Sequence, residues 1–122
     1  MEKTKEKLGN ALKQLAHEKP FERISIFDIA SKCGLNRQTF YYHFQDKYEC
    51  LEWVYRHDCL LPLTKEMTFD NWEKCLEKML IIMSMDKEFY MRSIQNNPKT
   101  FMDLFMKITK KLFMSLIQVS HA

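Results

Sequence analysis

The stretch Ser25–Lys47, SIFDIASKCGLNRQTFYYHFQDK, decides the fold, because its punctuation lays out two short helices joined by a tight turn and followed by a third. Ser25 can cap a helix in which Asp28 reaches back to the Ser25 amide, an acidic variant of the Ser/Thr-x-x-Glu capping box. A helix starting at Ile26 places Ile26, Ile29, Ala30 and Cys33 at i, i+3, i+4 and i+7, the spacing of one buried face. Gly34 ends it, since glycine takes the left-handed backbone past a helix C-terminus without a Cβ penalty. Leu35 is then placed to plug the angle between the helices. Asn36 caps a second short helix running to about Tyr42.

The faces of the second helix carry the chemistry. Phe40 and Phe44, four residues apart, form its inner side and leave Arg37, Gln38, Tyr41, Tyr42 and His43 outward or at the rim. Long hydrogen-bonding side chains at such a helix start suit base edges in a major groove, where Arg pairs with guanine and Gln with adenine. The base-facing set is therefore Arg37, Gln38 and Tyr42, and the phosphate-facing set Ser25, Phe27, Thr39, Tyr41, His43 and Lys47. Asp46 caps a further helix. Lys47 in its first turn opposes the helix dipole, a placement that an anionic backbone lying against that helix end would explain.

The run ISIFDIASKCGLNRQTFYYHFQDKYECLEWVY resembles the DNA-binding signature of the TetR family of bacterial transcription regulators. The matching positions are Ile29, Ala30, Gly34, Tyr41, His43, Phe44 and Lys47. The resemblance covers roughly residues 4–60, and the wording NRQTFYYHFQDKYECLEW is similar to the branch that includes activators of dihydroxyacetone kinase operons. It implies an all-α fold: a three-helix DNA-binding domain over residues 1–47, a connecting helix over 46–61, and a short helical regulatory or dimerisation region over 62–122. It also implies a dimer on a near-palindromic stretch of double-stranded operator DNA, answering to a small-molecule or protein effector.

Composition agrees. A chain of 122 residues that is 46% hydrophobic and 13% aromatic can build a packed core, while two glycines and three prolines argue against long disordered linkers. A net charge of only +3 means that local pattern, not global basicity, carries the nucleic-acid reading. Cys33, Cys50, Cys59 and Cys75 lack CxxC or zinc-site spacing and read as reduced thiols of a cytoplasmic protein, with no metal or cofactor expected. No GxSxG, HExxH, Walker or Rossmann pattern is present, so an enzyme is not expected. A charged N-terminus and the lack of a long apolar run give no signal peptide or membrane span. His17, His57 and His121 fall in no motif.

Outward from the reader, Leu8, Ala11, Leu12 and Leu15 set a first helix over 3–18 that Pro20 stops, with Phe21 and Ile24 covering the core. After Asp46, Tyr48, Leu51, Val54 or Tyr55 and Cys59 line a helix expected to reach about Leu61, where Pro62 interrupts it before a loop over 64–69. Asp70 or Asn71 should cap a helix with Trp72, Leu76, Met79, Leu80 and Met83 on one side, followed by a shorter helix over 85–95. Asn97 before Pro98 starts the last one, whose apolar stripe includes Phe101, Leu104, Phe105, Ile108, Leu112 and Phe113. About sixty residues cannot bury all of that surface alone, so those six residues are the expected dimerisation surface. A helical interaction module that answers to a protein partner, with no small-molecule pocket, is the alternative reading.

Overall fold

Eight α-helices and one 3-10 turn make up residues 2–121, the part of the chain that the computed structural model describes; side chains are described for residues 3–118. His121 therefore lies outside the described side chains. The helices are α1 (Glu2–Glu18), α2 (Ile26–Lys32), α3 (Arg37–His43), α4 (Lys47–Asp58), α5 (Leu61–Lys65), α6 (Trp72–Met85), α7 (Lys87–Asn96) and α8 (Pro98–His121). The 3-10 turn, Phe21–Arg23, occupies the link after Pro20.

α1 packs on α2 and α4 with Leu8, Ala11, Leu12 and Leu15 buried. Its Gly9 sits where any larger residue would press on α4, since a Cβ there would lie 3.1 Å from both Trp53 and Val54. α4 then carries the core into the second half. Cys50, Leu51, Val54, Tyr55 and Cys59 are buried, while Tyr48, expected on this stripe, is 46% exposed and Cys50 takes the inward place. The fully buried Tyr55 donates its hydroxyl to Ser93 Oγ at 2.7 Å on α7, and its ring meets Phe101 of α8 edge-on at 5.1 Å. One cluster of buried side chains thus runs from α1 to α8. Burial pushes the Cys50 and Cys59 thiols up to about 12, which keeps both protonated and unreactive at neutral pH.

Polar contacts reinforce the junction. His17 at the end of α1 meets Asp86 at 3.0 Å and Glu88 at 3.6 Å, and Arg92 donates to the His17 carbonyl at 3.0 Å. Lys13 pairs with Asp58 between α1 and α4.

Several expected boundaries move. α4 ends at Asp58, and Pro62 falls in the first turn of a separate helix, α5. Proline suits that place because its missing N–H would have no intrahelical partner there. Asn71 does not cap α6; its amide oxygen accepts from the Thr68 N–H at 2.6 Å and its amide nitrogen donates to the Glu66 carbonyl, closing the preceding loop. On α6 the buried residues are Cys75 and Met79, whereas Trp72 and Leu80 are exposed.

On α8, Phe101, Leu104 and Ile108 are buried within the chain, and Phe105 and Leu112 are half-buried against the same core. α8 meets α4, α5 and α7, and of the six residues expected at a dimer surface Phe113 is exposed. The reason is proximity: an apolar stripe is covered first by helices of its own chain, whose approach costs less entropy than that of a second molecule.

Candidate nucleic-acid interface

The α2–α3 unit is built from its caps inward. Ser25 Oγ accepts from the Asp28 N–H at 3.0 Å, and the Asp28 carboxylate accepts from the Ser25 N–H at 3.0 Å, so the box closes in both directions. Asp28 also accepts from Lys19 at 2.9 Å. That bond, with the Ser25 amide, holds its carboxyl down at about 2.

At the other end of α2, Gly34 takes φ +73°. The Leu35 N–H reaches the Ala30 carbonyl at 2.8 Å and the Gly34 N–H the Ser31 carbonyl at 3.0 Å, which is the paired bonding of a Schellman turn. Asn36 then accepts from both the Thr39 N–H (2.9 Å) and the Thr39 hydroxyl (3.0 Å), opening α3. Asp46 opens α4 by accepting from the Glu49 N–H at 2.9 Å.

Between these caps, Phe40 and Phe44 are buried against each other with ring centroids 5.6 Å apart, while Ile29 and Ala30 are buried on α2. Ile26 and Cys33 are only half-buried. The opposite side of α3 is open: Arg37 and Gln38 are exposed, Tyr41 is 49% exposed and Tyr42 73%. The Tyr42 ring stands edge-on to His43 at 5.0 Å. Ser25 and Phe27 are exposed on α2, and Phe27, having no polar side-chain atom, can meet a phosphate only through its backbone. Thr39 is half-buried, with its hydroxyl proton given to the Asn36 cap.

The Lys47 side chain is part-buried and turned inward. Its ammonium is turned onto the link before α2, donating to the carbonyls of Phe21 (2.7 Å), Ile24 (2.9 Å) and Glu22 (3.3 Å), and it lies 4.5 Å from the centre of the Phe21 ring. An ammonium has three N–H donors, and here there are three acceptors for them. Partial desolvation lowers its pKa. The placement that looked wrong for the helix dipole is explained by carbonyls at the C-terminal end of the 3-10 turn, a partial negative charge already inside the protein. Tyr48, taken in sequence for a core residue, is the candidate that sequence reasoning missed: it stands exposed beside Lys47 with its ring edge-on to Phe21 at 5.2 Å. Its place in the first turn after the Asp46 cap was the available signal.

A brace helix, two short capped helices set at an angle by a left-handed glycine, and a polar outer face on the second define a helix-turn-helix domain. Residues 10–54 match the family model described as bacterial regulatory proteins, tetR family. The chain is also 27% identical over 89 residues to the HTH-type dhaKLM operon transcriptional activator DhaS of Lactococcus lactis subsp. lactis (strain IL1403), a match covering 73% of this chain. The same match spans 48% of that relative, about half its length. Among the described residues, no helix is long and apolar enough to cross a membrane, and no group of three or more His, Cys, Asp or Glu side chains is gathered as for a metal ion.

Proposed function

We propose that this chain is a tetR-type regulator that reads operator DNA through α3, with Arg37, Gln38 and Tyr42 at base edges and Ser25, the Phe27 backbone, Thr39, Tyr41, His43 and Tyr48 along the phosphates. The observation that carries the reading is the division of α3: Phe40 is completely buried, while Arg37, Gln38, Tyr41 and Tyr42 stand exposed on the other side of a helix only seven residues long. Lys47 is assigned to holding the link before α2 against α4, and so to positioning Ser25 and Phe27.

Two copies on a near-palindromic site place their α3 helices in successive major grooves, so whatever alters the distance between copies alters binding. Pairing has to use side chains exposed in the single chain; Leu80, Ile81 and Met85 of α6 and Met91 of α7 are such residues. The test is selection of bound sites from random duplexes. Arg37→Ala and Gln38→Ala should each lose preference at one base position per half-site, at a cost of about 1–3 kcal/mol. Recovery of the parent's preferred sequence by both variants would refute the base assignment. Sedimentation at micromolar concentration, with and without duplex, tests the dimer; a monomer under both conditions refutes it.

A further inference from the structure

α3 turns one ring squarely away from the core. At about 100° of turn per residue, Tyr42 stands about 200° on from Phe40 and about 200° back from Phe44, opposite both buried rings. It is the most exposed aromatic side chain among the described residues, at 73%. Its ring lies edge-on to His43 with centroids 5.0 Å apart, which keeps the phenol beside its neighbour on the helix surface. Gln38, also exposed, stands one turn earlier on the same side. On the α3 reading proposed above, on which this inference rests, Tyr42 therefore reaches deepest into the groove.

The base edges decide what such a ring can recognise. A phenol hydroxyl both donates and accepts, so it finds a partner on any base pair: acceptors on guanine and thymine, donors on adenine and cytosine. It adds affinity without choosing. The ring is apolar, and the one apolar group that a base pair displays in the major groove is the 5-methyl of thymine. Covering an exposed ring with a polar base edge strips that edge of hydrogen-bonded water without replacing it, whereas covering it with a methyl group removes apolar surface from water on both sides. We propose that Tyr42 selects thymine, packing its ring on the 5-methyl group of one thymine in each half-site, while its hydroxyl contributes nothing to the choice. Gln38 and Tyr42 are about 6 Å apart along the helix axis, so that thymine lies within about two base pairs of the position Gln38 reads, at about 3.4 Å per pair.

The experiment uses the full chain and the duplex it selects from random sequence, with each thymine replaced in turn, in both half-sites, by deoxyuridine, which differs only by the missing methyl. Anisotropy should find one thymine per half-site whose replacement weakens binding roughly fourfold, the worth of one buried methyl group, and it should lie beside the position at which Gln38→Ala loses preference. Tyr42→Phe should show the same loss. Tyr42→Ala should bind the thymine and deoxyuridine duplexes equally, with helical circular dichroism unchanged, because the exposed ring holds no part of the core. Indifference of the parent to deoxyuridine, sensitivity that persists in Tyr42→Ala, or its loss in Tyr42→Phe, which would place the choice in the hydroxyl, would overturn the proposal. A parent that selects no sequence at all removes the α3 reading and this inference with it, whereas sequence selection combined with indifference to deoxyuridine removes the inference alone.

Discussion

Between Ser25 and Lys47 all three helix starts are closed by their own side chains, whereas α6 and α7 begin with no such bond. The two regions are held by different means. The reader takes its angles from bonds within a few residues, three caps and one glycine turn, and can therefore leave most of α3 bare without losing shape. α6 to α8 take their positions from burial: Met79, Phe89, Leu104 and Ile108 go inward, and the apolar residues left over face outward. A region shaped by local bonds can expose polar groups; one shaped by apolar packing exposes its surplus of apolar surface.

The contrast can be broken most sharply inside the core. Phe40→Ala should cost about 3–5 kcal/mol, because a fully buried ring leaves a cavity, while Phe113→Ala should stay within about 0.5 kcal/mol. Urea unfolding of the two variants measures both, and equal losses would mean that α8 is not arranged as described. Lys47→Met should lower stability by roughly 1–3 kcal/mol, since carbonyls that held a charged donor lose it. The salt dependence of DNA binding should stay parallel to the parent's. A slope smaller by about 0.9 would return Lys47 to the phosphates.

Smaller effects sharpen the local side of the comparison. Gly34→Ala should cost about 1 kcal/mol through left-handed backbone alone, as a Cβ there meets nothing within 4 Å, and a lowered Tm with unchanged helix content is the expected signature. Ser25→Ala and Asn36→Ala should each cost about 1 kcal/mol in the same assay. The Asp28 carboxyl is lower in the folded chain, at about 2, than its ordinary 3.8. Its contribution is therefore fully present above pH 4 and is lost as pH falls toward 2. Asp28→Asn should remove that part of the acid dependence, read from thermal melts between pH 5 and 2.

Legibility followed the same division. Ser25, Asp28, Gly34, Asn36, Asp46, Phe40 and Phe44 stand where their spacing put them, because a cap or a turn acts over four residues and both partners lie in the same short string. Beyond the reader, spacing gave helices but not faces. Tyr48 could be placed inward or outward by the same periodicity, and Pro62 could end one helix or begin the next. The broad stripe of α8 hid two faces, and only one of them could pack on α4 and α7.

By itself, then, the sequence determined the all-helical class, the capped two-helix unit and the division of α3 into a buried and an open side. These depend on interactions between residues three and four apart, which a linear string records directly. Tertiary structure alone decided where the Lys47 ammonium goes, since its carbonyl partners lie 23 to 26 residues away on the link before α2. It also decided which face of α8 the chain keeps for itself. Periodicity states that a helix has apolar sides, and only the packed neighbours determine which of them is buried.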